Sequence, residues 1–348
     1  MEEIITQANE SYFGAANSYQ GFVSLFGDIF NSKDYRHIYV IKGGPGTGKS
    51  SLMKKILFTF SKKGYYTEAI YCSSDPSSLD GVIISKNSSR VALLDGTAPH
   101  ERDAVIPGAI DEIINLGDGF DMGALSAARE EILAIVPKKN DAYKRAYSFL
   151  AIAGNLWRQI YTIYRDIAIY SRAESLSEQL SSLCNAGDQR SCKCVFSSAF
   201  NKLGYTTIDL YGTSEKRIVK ISGDGISEHL VFDMLYNKLS KKGAIITICP
   251  SPLDNTIYEK IICEDCVFEI DQTGADFSSS EIVEKQSDSL MELRHLHSRL
   301  LILAQSSFKE AADYHFMLED IYKDKIDFNN NDRVFLKIYS EIEEYLKS

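Results

Sequence analysis

The sequence predicts an α/β protein of two tandem three-layer lobes. Their sheets are mostly parallel, long helices follow each lobe, and the second lobe is a degenerate copy of the first. Three observations predict it. Short β-branched and aromatic runs alternate with stretches of helical periodicity. A glycine-rich turn joins one such run to one such stretch at residues 43–50. Weak similarities across residues 191–348 repeat, in the same order, those of residues 1–190. These two ranges are the expected lobes, and a length of 348 residues suits two domains.

Residues 38–41, Ile-Tyr-Val-Ile, read as a buried strand. Residues 43–50 then fit G-x-x-x-x-G-K-[ST], and Leu52, Ile56, Leu57 and Phe60 recur at helical spacing. This strand–loop–helix context is what a P-loop requires. Its glycines turn backbone N–H groups inward to cradle phosphate, and the helix N-terminus adds partial positive charge. The expected ATP-binding set is Gly43, Gly44, Pro45, Gly46, Thr47, Gly48, Lys49, Ser50 and Ser51. Lys49 would reach the β- and γ-phosphates, and the Ser50 hydroxyl would ligate Mg²⁺.

A second strand is expected at residues 69–72, followed by a polar loop over 73–81. A third apolar run, 91–94, ends on Asp95. Four apolar residues closing on an acid form a Walker B pattern, so Asp95 is read as catalytic with Lys49 and as a second Mg²⁺ ligand with Ser50. No second acid follows Asp95, which leaves the hydrolytic base open among Asp75, Asp80 and Glu101. Loops 73–81 and 96–102 would lie at the carboxyl edge of the sheet, where α/β proteins hold ligands. Asp80, Thr97 and His100 are candidates there for a second substrate or for nucleotide sensing. His100 also reads as a surface histidine. Arg102, Arg129 and Arg158 are candidate arginine fingers.

In the repeat, residues 61–64 recur as 240–243, Gly44 and Gly46 fall on Gly223 and Gly225, and Phe13, Ala16, Gly21 and Phe22 fall on Phe196, Ala199, Gly204 and Tyr205. Residues 69–72 are matched with 246–249, Leu79-Asp80 with Leu253-Asp254, and Asp95 with Asp271. Where lobe one has Gly48-Lys49-Ser50, lobe two has Ser227-Glu228-His229. A glutamate in place of the lysine would repel a triphosphate, so ATP is expected in lobe one only.

Helical spacing is read over residues 124–136 and 141–183, over 281–325, and again from 332, with Asn329-Asn330-Asn331 as a loop. Such helices suggest a bundle, a homo-oligomer interface or a lid. Cys184, Cys192, Cys194, Cys263 and Cys266 offer a zinc reading beside that of ordinary thiols.

Hydrophobic residues at 44% and charged residues at 25% exclude a disordered or fibrous chain. The net charge of −10 argues against a general nucleic-acid binder. No apolar run approaches the roughly 20 residues of a membrane span. The acidic start, Met1-Glu2-Glu3, lacks a signal-peptide pattern, so a cytoplasmic protein is expected.

Three segments together resemble a family: 42–52, 71–81 and 95–100. They look like those of the P-loop NTPase superfamily and, more narrowly, of bacterial ATP-binding proteins with two tandem P-loop lobes. The resemblance implies ATP binding and an ATPase or phosphotransferase fold. In that group the second lobe can also carry a phosphate loop, from which this chain departs at Ser227, Glu228 and His229. The leading expectation is a Mg²⁺-dependent ATPase acting as a nucleotide-driven switch that moves lobe two and the helices, with an unidentified protein partner or a small-molecule acceptor. The alternatives are a small-molecule or nucleotide kinase, and a non-hydrolysing ATP-binding scaffold.

Overall fold

The computed structural model describes residues 8–185, 187, 191–210, 216–271, 275–283 and 287–347. The chain opens with β1 (Glu10–Phe13), the hairpin β2 (Ala15–Ser18) and β3 (Gly21–Ser24), and a one-turn helix α1 (Phe26–Ile29). β4 (His37–Lys42) leads through the glycine turn into α2 (Lys49–Lys62). β5 (Tyr66–Tyr71), β6 (Leu79–Lys86), β7 (Ser89–Asp95) and β8 (Asp111–Asn115) complete the first sheet. Its order is β1-β5-β6-β7-β4-β8, with β6 antiparallel to both neighbours and every other pairing parallel.

β4 is buried along almost its whole length, as its unbroken apolar run demands of a strand covered on both faces. α2 buries Leu52, Met53, Ile56, Leu57 and Phe60, one face of the helix. β6 corrects the sequence reading. The polar loop ends at Ser78, and Asp80 and Gly81 lie in a strand. A Cβ on Gly81 would come within 2.7 Å of the Phe30 ring, so glycine lets the segment after α1 lie on the sheet.

α3 (Met122–Ala127), α4 (Arg129–Ile167) and α5 (Tyr170–Ser182) follow. The helices differ from the expected 124–136 and 141–183. α4 continues through Pro137, and the break falls at Ala168, whose backbone is extended.

The second lobe comprises β9 (Ser191–Cys194), β10 (Ser198–Asn201), β11 (Gly204–Thr207), β12 (Arg217–Ser222), α6 (Ser227–Lys241), β13 (Ile245–Pro250), β14 (Tyr258–Ile262), β15 (Cys266–Ile270) and β16 (Phe277–Ser278). α7 (Asp288–Lys323) and α8 (Asn329–Tyr345) end the chain. Residues 329–331, expected as a loop, form the first turn of α8. Read from its β9 edge, the second sheet runs β9-β13-β14-β15-β12-β16. Strand for strand this is the order and direction of the first sheet, with β14 as the antiparallel member. Even the bulge between Ile70 and Tyr71 recurs between Cys249 and Pro250.

The register corrects four of the pairings read from sequence, among them that of Gly44 with Gly223, because Ile41 and Ile221 are equivalent and Gly43 takes the place of Gly223. Cys72 N–H donates to Ser78 O and Ser78 N–H to Asp75 O; Ser251 N–H donates to Ile257 O and Ile257 N–H to Asp254 O. Asp254 therefore stands for Asp75, not Asp80, and residues 69–72 match 248–251. Gly96 N–H donates to Ile41 O as Asp271 N–H does to Ile221 O. Asp271 therefore occupies the place of Gly96, and Ile270 that of Asp95. The weak matches slipped because loop lengths differ and the strands share an apolar composition.

The lobes meet as two subunits of a symmetric dimer would. Phe13 and Phe196, which are equivalent, exchange both backbone hydrogen bonds, at 2.9 and 3.1 Å. Beside them Lys193 bonds Glu10 and the buried Glu68. Burial pushes the Glu68 carboxyl up, but Lys193 and Arg90 outweigh it and hold the group below its ordinary range. α4 and α7 pack along each other between the lobes. A Cβ at Gly154 would lie 2.3 Å from Tyr19, so this glycine admits the β2–β3 turn against α4.

The terminal helices are exchanged across the boundary between 1–190 and 191–348. α5 buries Ala173, Leu176 and Leu180 in the lobe-two core with α6. α8 buries Ile338 and Ile342 in the lobe-one core with α2. Among the described residues no helix is long and apolar enough to cross a membrane.

Candidate functional site

The glycine turn stands at the carboxyl end of β4, which lies between β7 and the edge strand β8, and β7 ends beside it. Gly46 and Gly48 take φ values of +70° and +86°, which favour glycine. Thr47 Oγ1 donates to Gly44 O at 2.9 Å and stiffens the turn. Lys49 Nζ donates to Gly43 O and Gly44 O, both at 3.1 Å, and lies 3.6 Å from Asp95 Oδ2. No side chain caps the N-terminus of α2. Its first amides and the Lys49 ammonium thus form a small cationic hollow facing one carboxylate.

Ser50 Oγ accepts the Leu79 N–H at 2.9 Å, and Ser51 is exposed on the first helical turn. Asp95 Oδ1 accepts from Thr97 N–H at 2.9 Å and from Thr97 Oγ1 at 2.6 Å. Thr97 therefore aims Asp95, leaving Oδ2 towards Lys49. Loop amides, one lysine, one hydroxyl and one carboxylate are the donor set that a metal-bound triphosphate needs.

The three candidate bases are engaged or remote. Asp75 accepts from the hydroxyls of Ser77 and Ser78 and pairs with Lys202 of the second lobe at 3.1 Å. Burial pushes its carboxyl up, and the Lys202 bond overrides this and holds it low. Asp80 pairs with His100 Nε2 at 2.8 Å, both side chains being buried. His100 is not a surface histidine: it stacks on Phe26 at 4.2 Å with the Phe22 edge 4.9 Å away. Glu101 is exposed.

Nor do the arginines converge on the hollow. Arg102 is tied to Phe30 O, Ser32 Oγ and the buried Asp111. Arg129 pairs with Glu130 at the surface, and Arg158 is exposed on α4.

Sequence reasoning missed the elbow between α7 and α8. A Cβ on Gly46 would lie 2.7 Å from Glu319 O, and one on Gly48 2.7 Å from Asn331 Nδ2. Asn331 Nδ2 donates to Thr47 O at 2.8 Å. Residues 325–327 bond to 119–121 through Asp121 N–H to Lys325 O and Asp327 N–H to Gly119 O. No periodicity links positions 47 and 331; the contact follows from the helix exchange.

In lobe two the corresponding hollow is filled from within. Glu228, fully buried, accepts the Gly225 N–H with both carboxylate oxygens, at 3.1 and 3.0 Å. Asp224 Oδ1 caps α6 by accepting from Ile226 N–H and Ser227 N–H. Arg294 of α7 donates to Asp224 O.

The cysteines divide. Cys184 and Cys263 are buried with their sulfurs 2.8 Å apart, and Cys266 is buried nearby, whereas Cys192 and Cys194 sit on β9. Among the described residues no group of three or more His, Cys, Asp or Glu side chains is arranged to hold a metal ion. No protein-family model, curated protein or solved structure matches the chain.

Proposed function

We propose that lobe one has a P-loop NTPase fold and binds Mg-ATP at residues 43–51, and that the protein is a slow ATPase working as a nucleotide-driven switch. One observation carries the reading: the uncapped amides of α2 and the Lys49 ammonium converge beside Asp95 in a strand–loop–helix frame. Lys49 would leave Gly43 O and Gly44 O for the β- and γ-phosphates. Ser50 and Asp95 would hold Mg²⁺, which supplies charge neutralisation at the transferring phosphoryl group. Thr97 keeps the Asp95 carboxylate turned to that side.

Slow turnover fits the carboxylates nearby. Asp75 is taken by Lys202 and Asp80 by His100, so neither stands ready to orient water. The switch reading draws on the elbow. Any movement of Thr47 on filling the hollow is felt by Asn331, and through it by α7 and α8.

The test is ATP titration by calorimetry with a parallel phosphate-release assay. Wild type should bind one ATP per chain and turn it over slowly. Lys49→Ala should weaken binding by about a hundredfold or more, having lost a charge-assisted contact to two phosphates. Unchanged affinity in that variant would end the reading.

A further inference from the structure

Three of the seven cysteines converge in the core of lobe two, and the duplication shows what they replace. Counted from the bulge that both sheets share, Cys263 stands in the place of Ile84 and Cys266 in that of Val91. On the exchanged helices, Leu176, Leu180 and Cys184 follow one another at the four-residue spacing of Ile338, Ile342 and Leu346. Ile84, Val91 and Leu346 all belong to the core of lobe one. At the corresponding corner lobe two brings together three thiols, each 5% exposed or less. Three aliphatic side chains bury more apolar surface than three thiols, so packing alone favours the solution of lobe one. What the thiols add is chemistry.

Cys184 Sγ and Cys263 Sγ stand 2.8 Å apart, from positions 79 residues distant along the chain. Closing to the roughly 2.05 Å of a disulfide asks for a shift of about 0.8 Å. Cys266 Sγ donates to Leu183 O at 3.4 Å and also lies against the Cys184 sulfur. The cluster is one layer below the surface. Glu264 and Asp265, in the turn between β14 and β15, are exposed, and Asn185 Nδ2 bonds Asp265 Oδ2 at 2.7 Å beside it. The Cys263 contact and then burial raise the Cys184 thiol, and burial holds that of Cys266 up at about 11. Both rest as thiols at neutral pH and react slowly there.

We propose that Cys184 and Cys263 are a site of reversible oxidation, at which a low-molecular-weight disulfide converts the two thiols to a disulfide bond that fastens α5 to lobe two. One protein thiol, as its thiolate, attacks the reagent, forms a mixed disulfide and releases one small thiol. The second attacks the protein sulfur of that mixed disulfide and releases the other. Two protons and two electrons pass from the protein to the reagent, which leaves as two thiols. The bond closes the loop from 184 to 263, which holds β9 to β14 and α6. It restrains the unfolded chain and so raises the stability of lobe two. The site is independent of the ATP reading of lobe one.

The experiment is overnight incubation of the full chain with oxidised or reduced glutathione, followed by melting, and by alkylation in denaturant with peptide mapping. Expected after oxidation are a peptide linking Cys184 to Cys263 and a melting temperature about 5 °C or more above that of the reduced sample. Dithiothreitol should reverse both. Cys184→Ser should lose both, and Cys184→Ala repeats that test with an apolar side chain in the core. Cys192→Ser removes an exposed thiol of β9 and should keep the linked peptide and the shift. No linked peptide in the wild type, a link between any other pair, a link without a rise in melting temperature, or an equal rise in both Cys184 variants would overturn the proposal.

Discussion

The two lobes run the same strands in the same order and differ in what fills two hollows. At the turn before the helix, lobe one leaves its amides uncapped and brings up Lys49, whereas lobe two inserts the carboxylates of Asp224 and Glu228. One layer away the contrast inverts. Lobe one packs Phe22, Phe26 and His100 against Asp80, and lobe two leaves a cavity beside Glu259. A duplicated backbone fixes where a hollow can form. Side chains of the chain itself then decide whether it stays open. A carboxylate held by loop amides does for lobe two the stabilising work that a bound phosphate would do for lobe one.

The largest test of this comparison concerns the exchanged helices. Leu180→Ala on α5 should destabilise lobe two, and Ile338→Ala on α8 should destabilise lobe one, each by about 3 kcal/mol, since both side chains are fully buried. Hydrogen exchange of β12 and β4 would read the two effects separately. If each substitution instead loosened the lobe that precedes it in sequence, the exchange would be refuted.

Glu228→Gln comes next. The amide keeps an acceptor and loses the charge, so lobe two should lose about 2 kcal/mol, with ATP affinity unaltered. The single tryptophan, Trp157, lies 6.0 Å from the His229 ring and reports this transition in urea. Full stability in the variant would mean that the carboxylate is a bystander.

The smallest effect lies at the joint between lobes. Burial and then Arg294 lower His297 to about 4, and its Nε2 sits 2.8 Å from Tyr19 Oη. The unfolded histidine titrates near 6.5. Below that pH the unfolded chain takes up a proton that the folded chain refuses, so the contribution of His297 is complete above about 6.5 and fades towards 4. At most about 2 kcal/mol is at stake, after discounting for the exposed part of the ring. Melting of His297→Gln should depend less on pH over that interval than melting of wild type.

Much of this arrangement was legible in the sequence for local reasons. The β4–turn–α2 unit is written in adjacent residues: an apolar run, glycines, Lys49, then one apolar helix face. The hairpin equivalences Gly21 to Gly204 and Phe22 to Tyr205 were legible because turn glycines punctuate them. The strand β6 was not, because it begins with Leu79, Asp80 and Gly81, and its register depends on a bulge. Nor was the burial of His100, which needs Phe26 to fold onto it. Asn331 was least accessible, since its place beside Thr47 exists only after two long helices have crossed between lobes.

The helix exchange also sets an order of events during synthesis. Lobe one has its whole sheet by Asn115, yet Ile338, Ile342 and Leu346, which help close its core, leave the ribosome only after the whole of lobe two has been made. Translation at about 5–20 residues per second leaves that apolar face of α2 uncovered for many seconds. A chain broken off before α8 would therefore carry a complete glycine turn on an unfinished core, with the apolar side chains that Ile338 and Ile342 cover left exposed.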